Sequence, residues 1–145
     1  NRAIEINPED PLAYVNRGLA WYRLDQTDAA KADWSTALEL DPELAAPHLH
    51  LGNLAYDRQE FERAEEFFTT ALEIDENLPQ AWYNRGNARY ELGKYRGASF
   101  DFMRYLEFNA DDRDGFANLF LSARALLEQT SDGDNRDAQT VETRR

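Results

Sequence analysis

Cysteine is missing from this sequence altogether, and histidine occurs only twice. Without cysteine the chain can hold no disulfide, no thiolate zinc site and no cysteine nucleophile. The two histidines, His48 and His50, stand two apart. On a helix they point to different faces and cannot grip one ion as an i, i+4 pair could. No apolar run approaches the roughly 18 residues that a membrane-spanning helix needs. Positive charge is scarce, with 16 Lys and Arg against 28 Asp and Glu, a net charge of −12 and an isoelectric point near 4.5. Such a field repels phosphate backbones and anionic bilayers, so neither nucleic acid nor direct membrane insertion is expected. A neutral or basic polypeptide suits it better. No leader is legible, and a soluble, cytoplasmic setting is the default expectation.

What is present is a period. Gly18, Gly52 and Gly86 are evenly spaced, and Ala30, Ala64 and Ala98 keep the same interval. Each alanine is followed one helical turn later by an aromatic: Trp34, Phe68 and Phe102. The runs ALELDP (37–42), ALEIDE (71–76) and YLEFNA (105–110) close the copies. Self-similarity at a fixed short period marks a repeat architecture. The copies occupy 11–44, 45–78 and 79–112. Within each, residues such as Tyr14, Arg17, Gly18 and Trp21 recur at three- and four-residue spacing, which predicts a helix. A break follows around residues 25–26, 59–60 and 93–94, then a second helix carrying the alanine and the aromatic. Glycine and alanine let two helix axes approach, and the aromatic of the partner helix fills the space.

The pattern Tyr14, Gly18, Trp21, Ala30, Trp34 and Pro42, repeated through Gly52, Ala64 and Phe68 and through Trp82, Gly86, Ala98 and Phe102, resembles the tetratricopeptide repeat (TPR) family. The resemblance spans about residues 2 to 128. It implies an all-α, right-handed superhelical solenoid of antiparallel helix pairs. His48, Arg89, Glu76 and Ala110 depart from the pattern. Residues 1–10 contain AIEINP, matching the end of an earlier copy, so the chain reads as starting inside a repeat of a longer array. Residues 113–129 resemble a first helix without a second, with Phe120 where the other copies have glycine; that is a capping helix. Residues 130–145 are polar and aperiodic, and disorder is expected there.

Arg17 and Arg85 stand one residue before the glycine, and the same two copies carry Asp33 and Asp101 one residue before the aromatic. The middle copy changes both places together, to Leu51 and Phe67. Helices that bring Gly18 against Trp34 also bring Arg17 to Asp33. Ion pairs Arg17–Asp33 and Arg85–Asp101 are therefore expected, with an apolar contact Leu51–Phe67 in their place.

Nothing in the sequence assembles a catalytic group. The carboxylates of EFERAEEFF (60–68) have the regular spacing of a solvated face, with no convergent base or orienting group. The glycines recur once per copy instead of clustering into a phosphate loop. No enzyme activity, cofactor or metal is expected. His48 fills an aromatic column and reads as a packing residue.

The remaining candidates lie on the other stripe of each first helix: Asn16, Leu19 and Tyr22; Leu49, His50, Asn53, Tyr56 and Asp57; Tyr83, Asn84, Asn87, Tyr90 and Glu91. The TPR resemblance implies that this stripe lines a concave groove holding an extended peptide or a partner helix. Carboxamides pair with a peptide backbone of any sequence, and tyrosines give flat apolar surface with a polar tip. Some family members hold a C-terminal carboxylate through Lys, Asn and Arg. Here those places carry Val15, Leu19, His50, Gln80 and Asn84, so a chaperone-tail ligand is not expected. The expected function is an adaptor or scaffold that binds a protein segment. Self-assembly through the N-terminal face or the apolar cap (Phe116, Phe120, Leu121, Leu127), giving a homo-oligomer, is the alternative, as is a TPR segment of a larger protein.

Overall fold

Asp10 opens the first full helix by accepting the Leu12 amide at 3.0 Å, and Pro11 at the first helical position forfeits an N–H that has no partner there anyway. The computed structural model describes the backbone of residues 2–142 and the side chains of residues 3–5 and 7–131. Among them every regular element is a helix: α1 (Arg2–Ile6), α2 (Pro11–Arg23), α3 (Thr27–Leu40), α4 (Ala45–Asp57), α5 (Phe61–Ile74), α6 (Pro79–Glu91), α7 (Tyr95–Phe108) and α8 (Arg113–Glu142). α2 pairs with α3, α4 with α5 and α6 with α7, and α8 lies against α7.

Each pair turns through one left-handed residue, Asp25 (φ 60°), Gln59 (φ 60°) or Gly93 (φ 70°). The next residue's amide reaches back to a carbonyl in the last turn of the helix: Gln26 to Trp21, Glu60 to Ala55 and Lys94 to Arg89, at 2.8 to 2.9 Å. This closes the helix end by satisfying a carbonyl that the helix itself leaves open. Only the third copy uses glycine, the residue that meets this φ without a side-chain clash.

Closure of each pair is a ring on a glycine. Trp34, Phe68 and Phe102 are essentially unexposed. A Cβ built on Gly18, Gly52 or Gly86 would stand 2.5, 2.5 or 2.8 Å from the facing ring. Trp34 also donates its Nε1 to the carbonyl of Val15, which is itself buried. α8 docks on α7 without such a ring. Buried Ser122 shares a 2.9 Å hydrogen bond with Ser99, and Gly115 leaves room for Tyr105 and Leu106.

Both expected ion pairs form. Arg17 holds Asp33 through Nε at 2.7 Å and Nη2 at 2.6 Å, and Arg85 holds Asp101 at 3.0 and 2.8 Å. Leu51 is buried in the cluster against which Phe67 packs. Arg89, a departure from the repeat pattern, adds a part that the sequence does not foresee. It reaches Asp101 at 2.9 Å and Glu65 at 2.9 Å, and Lys94 meets the same Glu65 at 2.5 Å. Burial lifts the Asp101 carboxyl above its ordinary range, and the two arginines pull against that rise.

His48 packs as expected, its ring 6.4 Å from that of Phe67. Its column neighbours each bond a carbonyl just upstream, Tyr14 Oη to Pro8 and Trp82 Nε1 to Glu76. His48 Nδ1 is buried with no partner among the described residues. The capping segment differs from expectation at its far end: α8 continues to Glu142, so the backbone of 130–142 is helical, where disorder is expected from residue 130. Once nucleated, a helix gains a hydrogen bond per added residue, and no proline interrupts this one. Residues 143–145 lie outside the described residues.

Candidate functional site

α2, α4, α6 and α8 stand side by side, neighbouring first helices touching directly. The spacing that puts Asn53, Tyr56 and Asp57 on one face of α4 does the same for Asn87, Tyr90 and Glu91 on α6. Between these faces lie two cavities. The first, about 200 Å³, is lined by Tyr22, Asn53, Tyr56, Asp57, Asn84 and Asn87 over the ring of Phe68. The second, about 170 Å³, is lined by Asn87, Tyr90, Glu91 and Asn118 with Phe102 and Leu121. Asn53, Tyr56, Asp57, Phe68 and Asn84 in the first correspond, one repeat further along, to Asn87, Tyr90, Glu91, Phe102 and Asn118 in the second. The site therefore repeats with the fold.

The asparagines bridge neighbouring helices. Asn84 Nδ2 donates to Asn53 Oδ1 at 2.7 Å, and Asn84 Oδ1 accepts from Gln80 at 2.8 Å. Asn118 Nδ2 donates to Asn87 Oδ1 at 3.3 Å and to the Tyr83 hydroxyl at 2.9 Å. With their oxygens so used, the Nδ2 groups of Asn53 and Asn87 have no partner among the described residues and remain donors at the cavity walls. One repeat earlier the same two places hold Leu19 of the first copy and His50 of the second, and the bridge is missing.

The tyrosines pack sideways while lining the cavities: Tyr56 on Phe61 and Tyr90 on Tyr95, each with centroids 5.3 Å apart. The Tyr22 hydroxyl donates a hydrogen bond to Asp57. Burial and that bond push the Tyr22 pKa up to about 12. Burial, with Glu91 nearby, also raises Tyr56. Asp57 and Glu91 themselves are exposed at the cavity rims, and Glu91 has no ion-pair or hydrogen-bond partner among the described residues.

Other residues of the expected stripe sit elsewhere. Leu49 packs into the core clusters that include Trp82 and Phe68. Tyr83 lies against Phe102 and Tyr105. His50 stacks on Trp34, centroids 5.2 Å apart, and burial followed by the charge of Arg23 holds its pKa below the usual histidine value. Asn16 is exposed and Leu19 half-buried, and neither lines either of the two cavities. Sequence reasoning does not single out Phe68 and Phe102 as cavity floors. Their column signals core, and one ring edge serves both purposes.

Helix pairs stacked at a fixed period, with rings on glycines and a grooved face of first helices, define a helical-repeat solenoid. The chain belongs to the tetratricopeptide repeat family: models described as Tetratricopeptide repeat match residues 11–44 and 79–112, and one described as TPR repeat matches residues 52–93. No curated protein matches the chain. Among solved structures it is similar to the first TPR of Spaghetti (RPAP3) bound to HSP90 peptide SRMEEVD, at 21% identity over 81% of this chain and 94% of that one, TM-score 0.76. It is also similar to YrrB, a TPR protein with an unusual peptide-binding site, at 24% identity over 88% and 67%, TM-score 0.81. A third is the second TPR domain of human RPAP3 in complex with HSP70 peptide SGPTIEEVD, at 22% identity over 78% and 98%, TM-score 0.70. At these identities the likeness establishes the fold.

Proposed function

We propose that this protein is a protein-interaction module that holds an extended segment of a partner in the groove formed by α2, α4, α6 and α8. The observation that carries this reading is the pair of cavities one repeat apart, each combining a tyrosine wall, a carboxamide donor and a carboxylate. An extended chain offers carbonyls at a regular rise, and the Nδ2 donors of Asn53 and Asn87 suit them. The similar structures with bound peptides are consistent with this use of the fold. The partner segment is neutral or basic, because the charges at the rims, Asp57 and Glu91, are both negative. The test is fluorescence anisotropy with a panel of short labelled peptides, comparing wild type with the triple variant Asn53→Ala/Tyr56→Ala/Asn87→Ala. Binding weakened about tenfold or more, with helical circular dichroism unchanged, supports the groove. Equal binding by both proteins removes it.

A second reading has its own observation. Phe116, Phe120 and Leu127 on α8 are 51%, 68% and 68% exposed, an apolar row open to a second copy. Sizing across a concentration series decides: a dimer abolished by Phe120→Glu, with peptide binding untouched, makes α8 an assembly surface.

A further inference from the structure

The two cavities share more than position. Each has a buried phenylalanine floor, Phe68 or Phe102, a tyrosine wall, Tyr56 or Tyr90, and one rim carboxylate, Asp57 or Glu91. The first also has Tyr22 beside its carboxylate, and that hydroxyl fixes Asp57 in place. A slot with an aromatic floor and wall, carboxamides along its side and an anion at its mouth matches a side chain with an apolar stem and a cationic head. At 200 and 170 Å³ each slot holds about six water volumes, room for one long side chain.

Resting on the groove reading above, the geometry points to tandem subsites for two lysine or arginine side chains of one extended segment, the cations separated by two intervening residues. The spacing follows from the helices. α4 and α6 pack directly, with Asn84 bonded to Asn53 across the seam, so their axes stand about 10 Å apart. An extended chain in the polyproline II form rises about 3.1 Å per residue with three residues per turn, so equivalent points on adjacent repeats fall about three residues apart on one face of the ligand. The array of subsites stops at repeat one. There the place of Asp57 and Glu91 is taken by Arg23, which repels a third cation.

The test titrates the full chain with labelled alanine-based peptides carrying Arg-x-x-Arg, Arg-x-Arg, Gln-x-x-Gln or Glu-x-x-Glu. The expected order places Arg-x-x-Arg about tenfold or more ahead of each of the others, with the advantage shrinking as salt rises. Glu91→Gln removes the gain from one arginine, and Asp57→Asn the gain from the other; neither exposed change should disturb the helices. A third arginine three residues on adds nothing in wild type and strengthens binding in Arg23→Glu. Equal affinity for Arg-x-x-Arg and Gln-x-x-Gln, or for Arg-x-Arg, overturns the cationic subsites. In that case, binding still lost in Asn53→Ala/Tyr56→Ala/Asn87→Ala leaves the groove itself standing. Arg-x-x-Arg binding that survives this triple variant overturns the groove and the subsites together.

Discussion

At Gly52 one methyl group decides whether the second repeat closes. Its Cβ would stand 2.5 Å from Cε1 of Phe68, a fully buried ring that could yield only by shifting into the cavity it floors. Gly52→Ala is expected to cost about 1–3 kcal/mol, read as a lower midpoint in urea. The left-handed turn residue runs the other way. Gln59→Gly relieves a side chain held at φ 60° and should stabilise by up to about 1 kcal/mol, in spite of glycine's greater freedom when unfolded. The histidines set a pH dependence. Burial holds His48 and His50 below their ordinary value in the folded chain, and unfolding returns them to about 6.5. The unfolded state then binds more protons between the folded values and about pH 6.5, so their contribution to stability falls as pH drops through that window. Urea midpoints at pH 7 and pH 5 should differ less in His48→Phe/His50→Phe than in wild type.

At the scale of the helix, the third repeat is tied most tightly by charge. Asp101 is fully buried between Arg85 and Arg89, whereas Asp33 has Arg17 alone among the described residues. Removing the acid leaves the buried Arg85 without its carboxylate, so Asp101→Ala should cost about 3–5 kcal/mol. Copying the middle repeat into the first, Arg17→Leu with Asp33→Phe, replaces a pair by an apolar contact and should stay within about 1 kcal/mol of wild type. Urea melts of both variants check this. The Arg–Asp alternation was legible because one helix pair brings its two members together by a local register that recurs with every copy. The glycines and their rings were legible for the same reason. Contacts across repeats were not. Asn84 to Asn53, Arg89 to Glu65 and the stacking of His50 on Trp34 depend on how far each repeat rotates against the next, which no single-helix spacing encodes. The asparagines thus showed their face in the sequence but not their bridging. Leu49 shared that face and turned inward, because α6 approaches closely enough to cover it.

For the whole molecule, neighbour-only contact is the governing fact. Each repeat touches the next and little else, so stability is a sum of local terms and one end can loosen while the other holds. Deleting residues 113–145 uncovers the α7 surface that Ser122 and Gly115 now pack against. Hydrogen exchange should then show α7 losing protection, while α4 and α5 keep theirs.

The indoles give that uneven stability an optical readout. Trp21 and Trp34 belong to the first repeat and Trp82 to the third, and the middle repeat has none. Trp34 is sealed between Gly18 and the His50 ring, so its emission is that of an apolar site until α2 and α3 part. In a Trp21→Phe/Trp82→Phe background, a red shift reports the opening of the N-terminal pair alone. Set against far-ultraviolet dichroism of the whole chain, it separates fraying from global melting without a single added label.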